Sequence, residues 1–263
     1  MLLIEDILQA LSSMGITRGN AVLVSSDIRM FVPTVWEEEE KSGKAISAVP
    51  HVLDMLIDGL QDLVGVNGTL LFPTYNWDFC KGKSWDYDKT LGKTGALSNH
   101  ALGRKDFKRT RHPIYSFAVW GKDADLLVTM RNHDSFSEDS PFGYLYHTAG
   151  KNIAIGVEGA FFTFGHYVEQ CNNVTYRYIK NFVADYIIDG HTQKETYSMF
   201  VRQLDPEVIS VSADEILLKE GAMLKKDING ILITSIDLVK AYKTLENDIQ
   251  KNNARHLMRY KNS

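Results

Sequence analysis

Cysteine is scarce in this chain: Cys80 and Cys171 are the only two among 263 residues, and neither belongs to a CxxC pair. A disulfide framework or a zinc knuckle needs several paired cysteines, so both are disfavoured. No apolar run approaches the ~20 residues that span a bilayer. The first residues lack the basic segment of a secretory signal and carry Glu5 and Asp6 within their apolar pattern. We therefore expect a cytoplasmic protein without membrane insertion.

Excess charge of one sign is also lacking. Lys and Arg number 29 against 33 Asp and Glu, which gives a net charge of −4. A nucleic-acid-binding protein needs a basic surplus to neutralise phosphates, so we expect no nucleic-acid partner.

Several common catalytic signatures are missing. The chain has no GxxxxGK[ST] phosphate loop, no GxGxxG after a strand, no HExxH and no GxSxG. The stretch around Asp86 and Asp88 lacks the glycine and final glutamate of a calcium loop. These absences leave no indication of a metal.

The hydrophobic pattern alternates between helical spacing and short buried runs, which favours an α/β fold. We expect a central mixed sheet flanked by helices. The predicted strands are 21–25, 68–73, 116–120, 152–157 and 231–234. The predicted helices begin near residue 4 and cover 49–64, 122–130, 165–172, 213–223 and a last stretch after an N-cap at Ser235.

Other segments depart from this alternation. Strand-type residues flank Asp189-Gly190, which predicts a β-hairpin. We therefore expect one domain, 1–263, with a small hairpin or meander subdomain at about 181–212. Met30–Ser47, with its four glutamates at 37–40, is predicted to be a loop, as is 75–95. The polar tail 251–263 is predicted to fray.

Polar residues follow the predicted strands where each strand ends. Ser25, Ser26 and Asp27 follow the first strand, and Thr74, Tyr75 and Asn76 follow the second. The 152–157 strand leads through Gly156 and Gly159 to Thr163 and His166. In open α/β sheets ligands bind at this edge, so these side chains are expected to converge.

The stretch TFGHYVEQ at 163–170 places His166 three residues before Glu169, on one helical face. Such a pair can be a general base with its orienting carboxylate, two metal ligands, or two surface residues. A metal is less favoured because no third ligand lies at a telling distance.

Other polar clusters also have two interpretations each. KRTRHPIYS at 108–116 could hold phosphate oxygens or be a solvated basic loop. YRYIK at 176–180 could stack a base and pair with a diphosphate, or simply pack. Cys171 could be a nucleophile or an inert thiol. The acidic run 37–40 could attract a polycation or be solvated.

Taken together, these stretches resemble the aminoglycoside 3-N-acetyltransferase family over nearly the whole chain. Five segments occur in the family's order: VLVSSDI at 22–28, GVNGTLLFPTYNW at 65–77, RTRHPIYSFAVWG at 109–121, SPFGYL at 140–145 before the 152–157 strand, and TFGHYVEQ at 163–170.

The resemblance implies a CoA-dependent N-acyltransferase in which a sugar amine attacks an acyl thioester directly. It implies that His166 is the general base and Glu169 its orienting partner. Acyl-CoA is the implied co-substrate, and no metal is implied. The other implied sites are the thioester region at Ser25, Ser26 and Thr163, and the coenzyme-binding block of Arg109, Thr110, Arg111, His112 and Ser116.

Departures from the antibiotic-modifying members favour a different acceptor. Arg177 and Lys180 follow the His166/Glu169 pair where an acidic surface would suit a polycation. YRYIK resembles members that acylate nucleotide-linked (dTDP- or UDP-) amino sugars for surface polysaccharides such as the O-antigen. The transferred group is then acetyl or a short 3-hydroxyacyl chain such as 3-hydroxybutanoyl. The residues predicted to bind the acceptor are Asp27, Tyr75, Asn76, Trp77, Tyr176, Arg177 and Lys180.

The chain could be a monomer or a homodimer. Two alternatives remain open for its function. The first is an aminoglycoside 3-N-acetyltransferase that confers antibiotic resistance, for which the acidic run 37–40 is the main argument. The second is a non-catalytic carbohydrate-binding protein, against which the intact pair of His166 and Glu169 argues.

Overall fold

A seven-stranded mixed sheet forms the centre of the protein, in a computed structural model that describes residues 2–157 and 162–261. The strands are β1 (Ala21–Ser26), β2 (Thr69–Pro73), β3 (Trp85–Asp86), β4 (Lys108–Arg109), β5 (Phe117–Gly121), β6 (Lys151–Ile155), β7 (Arg177–Ile188), β8 (His191–Arg202), β9 (Val208–Ser210), β10 (Met223–Ile228), β11 (Ile231–Asp237) and β12 (Met258–Tyr260). The central sheet has the order β10-β11-β6-β1-β2-β5-β4.

Only the middle of this sheet is parallel. β1 runs parallel to both β2 and β6, and the strands outside them pair antiparallel. A parallel strand needs cover on both faces, and β1 has it: Val22 and Val24 join the core on one face, and Ala21 and Leu23 that on the other. The α/β prediction with a central mixed sheet is confirmed.

Helices cover the sheet in two layers. The first four belong to the core on one face, and the last five to the core on the other. No helix in the described part of the chain is long and apolar enough to cross a bilayer. The helices are α1 (Leu2–Ser13), α2 (Ile28–Lys41), α3 (Val49–Val64), α4 (Ala96–Gly103), α5 (Ala124–Thr129), α6 (Pro141–His147), α7 (Phe164–Cys171), α8 (Asp214–Lys219) and α9 (Leu238–Asn252), with a 3-10 turn at Phe79–Lys81.

A long hairpin of β7 and β8 forms the second sheet, together with β3. It turns at the predicted Asp189-Gly190 pair, where both residues have positive φ (51° and 75°). A tight two-residue turn of this kind requires that conformation, which Gly adopts without strain. The hairpin packs against the same sheet face as α5 to α9.

The predicted loop at Met30–Ser47 is mostly helix α2, so that prediction was wrong. The Asp27 carboxylate accepts a hydrogen bond from the Arg29 amide and caps the helix. Phe31, Val32 and Val35 are buried on the inward face and hold the helix against the sheet. Inside the acidic run, Glu39 is buried and accepts hydrogen bonds from Ser47.

The C-terminal part also differs from its prediction. Ser235 is not a helix cap but a buried residue of β11, and Asp237 caps α9 by accepting from the Lys240 amide. The predicted helix 213–223 ends at Lys219, and Met223 begins β10. The tail forms β12, which pairs antiparallel with β9. This pairing joins segments about fifty residues apart, so no local pattern announces it.

Candidate active site

A cleft of ≈ 930 Å³ opens where the parallel strands β1, β2 and β6 end. Neighbouring parallel strands point their carboxyl ends to one edge, so the polar residues that follow them meet there, as expected. The predicted site residues that line the cleft are Ser25, Ser26, Asp27, Tyr75, Trp77, Thr163, His166, Glu169 and Arg177.

The ends of β1 and β6 are fastened to each other below the cleft. The Asp27 amide donates to the Ile155 carbonyl at 2.9 Å. Gly156 follows with φ of 69°, and a Cβ there would lie 2.4 Å from the Asp27 oxygen. Glycine is therefore required at this position. Gly159, through which the chain was predicted to continue toward the site, lies outside the described residues.

Helix α7 carries the predicted histidine and glutamate on one face. His166 Nδ1 lies 2.7 Å from Glu169 Oε2, with the imidazole 31% exposed and the carboxylate 2% exposed. Because an ionised carboxylate only accepts hydrogen bonds, Nδ1 carries the proton and Nε2 is left as the basic nitrogen. The edge of the Phe136 ring packs against the imidazole, with 5.5 Å between centroids.

Glu169 has two further partners besides His166. The Tyr176 hydroxyl donates to Oε1 at 3.0 Å, and Arg177 Nε forms an ion pair with Oε2 at 2.7 Å. Burial favours the neutral acid, but the hydrogen bond from His166 and the charges of His166 and Arg177 outweigh it and lower the pKa of Glu169. The carboxylate therefore stays ionised at neutral pH.

Hydroxyl groups line the same cleft as this pair. Ser25 and Ser26 line it from β1, and Thr163 lines it just before α7. The Tyr75 ring is packed edge-on against Tyr115 and Trp77, and burial raises its pKa well above the usual value. These groups supply neutral hydrogen-bond donors at neutral pH.

Asp27 lines the cleft and is held by its neighbour. Its carboxylate accepts from Arg29 Nε at 2.9 and 3.0 Å. These hydrogen bonds lower the pKa of Asp27 and outweigh the opposing effect of burial. Arg29 itself is 86% exposed and also lines the cleft. The charge of Asp27 is thus already offset.

The side chains of the block predicted to bind coenzyme A do not line this cleft. Arg109 is buried, stacks 4.6 Å over Trp85 and donates to the Tyr87 carbonyl. The Thr110 hydroxyl accepts from the Phe117 amide. Arg109 and Thr110 are both buried, and neither lines the cleft.

His112 and Ser116 of that block are also buried, whereas Arg111 is partly exposed. His112 Nδ1 accepts from the amides of Ile114 and Tyr115 at 3.2 and 3.1 Å, and burial lowers its pKa to about 3. Ser116 is bonded to Thr74. Arg111 donates to the Val128 carbonyl outside the cleft. The structure gives this block a role in holding strand ends, because polar groups buried this deeply need partners.

Three predicted acceptor-binding residues also lie away from the cleft surface. Asn76 bridges its own loop through the Leu91 carbonyl and the Asp78 amide. Tyr176 is bonded to Glu169, and Lys180 is exposed on β7 over the ring of Phe182. Arg177 reaches the cleft, but its Nε faces Glu169.

Some cleft residues were missed by the sequence-based prediction. Arg29 reaches the cleft from α2, and Lys93 and Gly95 reach it from the 75–95 loop. The length of that loop was the one feature of the sequence that pointed to the latter two. Val211 and Leu257 reach the cleft together because the Val211 amide donates to the Leu257 carbonyl beside the β9–β12 pair. That contact is long-range, so no local signal exists.

The described residues, 2–157 and 162–261, contain no group of three His, Cys, Asp or Glu side chains placed to hold a metal ion. Burial raises the pKa of the Cys171 thiol, and that of Cys80 to about 11. Neither thiol is therefore activated as a nucleophile.

The chain is similar to known proteins in sequence and in fold. Residues 41–247 match the family described as aminoglycoside 3-N-acetyltransferase. A relative from Bacillus subtilis (strain 168), the SPbeta prophage-derived aminoglycoside N(3')-acetyltransferase-like protein YokD, is 23% identical over 209 residues, covering 71% of each chain.

Solved structures with names from the same family share the fold. AAC-IIIb, in a binary complex with CoASH, superposes with a TM-score of 0.76 at 17% identity, covering 95% of this chain and 96% of that one. AAC(3)-Xa gives 0.74 at 18% identity, with 93% and 92% covered. AAC-VIa bound to sisomicin gives 0.70 at 18% identity, with 96% and 98% covered.

Proposed function

The chain belongs to the aminoglycoside 3-N-acetyltransferase family, and we propose that it transfers an acyl group from acyl-CoA to the amine of an amino sugar. The observation that carries the proposal is the His166–Glu169 pair at 2.7 Å on the wall of a cleft lined by strand-end hydroxyls. A sugar ammonium must lose a proton before it can attack, and an oriented imidazole is suited to take it.

The reaction needs only this chain's groups and the two substrates. His166 Nε2 takes one proton from the ammonium, and the amine nitrogen then bonds to the thioester carbonyl carbon. Ser25, Ser26 and Thr163 are the candidate donors to the resulting oxyanion. As the carbon–sulfur bond breaks, His166 gives this first proton to the departing sulfur of CoA. The imidazole then takes the second proton from the nitrogen and releases it to solvent, so the products are the amide, the CoA thiol and one proton. No covalent enzyme intermediate is needed.

We propose a nucleotide-linked amino sugar as the preferred acceptor, and the charge of the cleft lining supports it. Tyr176 and Lys180 no longer support it, since neither lines the cleft. The support now comes from charge. Among the described lining residues the carboxylates are Asp27, paired with Arg29, and Glu169, paired with Arg177. Lys93 also lines the cleft and pairs with Asp78 at 2.7 Å, so the lining offers a polycation no carboxylate that lacks a cationic partner. A diphosphate suits such a lining better than a polycation does.

An aminoglycoside is the second candidate, and the names of the relatives favour it. AAC-VIa is described with sisomicin bound, and YokD is called aminoglycoside N(3')-acetyltransferase-like. The acidic run 37–40 does not add to this case. Glu38 accepts from the Leu3 amide, Glu39 from Ser47, and Glu37 pairs with Lys41, so these carboxylates serve the fold of α2.

The deciding experiment measures thiol release from acetyl-CoA with a dTDP-amino sugar, with a gentamicin-type aminoglycoside and with no acceptor. We expect acceptor-dependent release, with the nucleotide sugar giving the higher kcat/KM. Parallel reactions with 3-hydroxybutanoyl-CoA identify the acyl group. Release with the aminoglycoside alone would overturn the preferred acceptor. If neither acceptor causes thiol release but an amino sugar still binds, the protein is a non-catalytic carbohydrate-binding protein.

A further inference from the structure

The carboxylate of Glu169 is held by two residues from outside its own helix. Tyr176 lies just before β7 and Arg177 begins it, and both reach back to α7. Tyr176 bonds one carboxylate oxygen at 3.0 Å, and Arg177 Nε lies 2.7 Å from the oxygen that also faces His166 Nδ1. Glu169 is 2% exposed, so these three groups stand where water would otherwise be.

The charge balance of this cluster depends on Arg177. With His166 neutral and Glu169 ionised, the pair carries one negative charge in a nearly buried place. Arg177 supplies the compensating positive charge at contact distance, so the cluster of three is neutral in the state that a general base requires. Without it, the pair would gain neutrality only by binding a proton, because an uncompensated buried charge is costly.

We infer that Arg177 is a positioning residue that sets how tightly the His166–Glu169 pair holds a proton, and that Tyr176 contributes to the same effect. Arg177 offsets the negative charge of Glu169 and so weakens the attraction of that carboxylate for a proton on the imidazole. The catalytic consequence rests on the proposed function, whereas the proton affinity itself does not.

The geometry argues against a direct role of Arg177 in binding substrate. The side chain is 7% exposed, Nε lies 2.7 Å from Glu169 Oε2, and Nη1 donates to the Phe200 carbonyl at 3.4 Å. Little of the guanidinium is left for a ligand. Arg29 is a useful contrast, because it lines the same cleft with 86% of its side chain exposed.

The other charged and titratable groups that face the cluster are few in the described structure. Tyr115 lies near Arg177, and Asp248 of α9 lies near Tyr176. Asp248 is itself paired with His256, whose Nδ1 is 2.6 Å away. Arg177 is therefore the cation in direct contact with Glu169 besides His166 itself, and the effect of removing it can be assigned to this contact.

The test titrates the His166 imidazole by NMR in the full-length protein, with its signal identified by its loss in His166→Gln. In Arg177→Met the titration midpoint of His166 is expected to rise by about one pH unit or more. The reason is that Glu169 then keeps its full negative charge and holds the imidazolium proton more tightly. Tyr176→Phe is expected to raise it by a smaller amount. Arg177→Lys, which keeps the charge, should move it less than Arg177→Met does.

Arg29→Met is the matched control, since it removes a cation from the same cleft without touching Glu169. Its His166 midpoint should stay at the wild-type value. An unmoved midpoint in Arg177→Met, or an equal shift in Arg29→Met, overturns the inference. If Arg177→Met does not fold, Tyr176→Phe decides, and an unmoved midpoint there has the same consequence.

Kinetics separates this role from substrate binding. In Arg177→Met the acidic limb of the kcat/KM profile should move to higher pH with the NMR midpoint, and KM above the limb should change little. A raised KM with an unmoved limb would make Arg177 a substrate-binding residue instead. Absence of acceptor-dependent CoA release in the wild type would refute the proposed function and leave the NMR result to stand by itself.

Discussion

His166 and His112 occupy opposite sides of the boundary between cleft and interior. His166 lines the cleft with one nitrogen fixed by a carboxylate, whereas His112 is buried and uses Nδ1 to accept from two backbone amides. An exposed, oriented imidazole can exchange protons with a substrate. A buried one whose pKa is lowered to about 3 cannot, and it serves the fold instead. The same side chain thus has two roles, and its surroundings decide which.

The largest effect is expected from the exposed member of this pair. His166→Gln should lower kcat/KM for acceptor-dependent CoA release by about 10²- to 10⁴-fold, the usual range for loss of a general base. The thermal unfolding midpoint should barely change, because His166 is partly exposed. A variant that keeps the wild-type rate would remove His166 from the mechanism.

The buried member should show the reverse pattern. His112→Ala leaves the amides of Ile114 and Tyr115 without their acceptor and should cost about 1–3 kcal/mol of unfolding free energy, as measured by urea denaturation. At urea concentrations below the unfolding transition of His112→Ala, the kcat of this variant should fall far less than the kcat of His166→Gln. A stable His112→Ala protein with a catalytic rate as low as His166→Gln would contradict the division of roles.

The pH dependence of stability sharpens the comparison further. As pH falls below the ordinary histidine value of 6.5, His112 takes up a proton in the unfolded chain but not in the folded one until about pH 3. The unfolded state then binds more protons, so His112 should reduce stability by about 1.4 kcal/mol per pH unit across that window.

His112→Asn keeps an acceptor near the Nδ1 position but has no side chain that binds a proton in the unfolded state between pH 6.5 and pH 3. The stability difference between wild type and His112→Asn should therefore shrink as pH falls from neutrality toward pH 4. A difference that is independent of pH would show that His112 is not held neutral in the folded protein.

The smallest effect is expected at Lys180. It lies exposed on β7 over Phe182, outside the cleft, so Lys180→Ala should change the KM for any acceptor by less than about twofold, within the range of ordinary surface substitutions. A large rise in KM for a nucleotide sugar would restore the sequence-based argument that placed Lys180 at a diphosphate.

Patterns among neighbouring residues correctly predicted several strands, helix α3 and the hairpin. The buried strands and α3 follow from apolar spacing, and the hairpin from Asp189-Gly190. Helix α2 was missed because its glutamates suggested solvent. Its inward face, Phe31, Val32 and Val35, was the better signal. The β9–β12 pairing could not be predicted, since it depends on contacts between distant segments.

The site shows the same limit. The strand-end rule placed Ser25 and Asp27 at the cleft, and helical spacing paired His166 with Glu169. Composition could not tell that Arg109 would be buried over Trp85 or that Arg177 would face a carboxylate. A polar block in the sequence does not reveal whether its side chains face a cavity or satisfy one another.

The most direct test of the account is kcat/KM for acceptor-dependent CoA release as a function of pH, in the wild type and in His166→Gln. The wild type should show an acidic limb from a single ionisation, and the variant should lose both that limb and most of its rate. The same limb at a similar rate in His166→Gln would show that another group is the base and would contradict the role given to the His166–Glu169 pair.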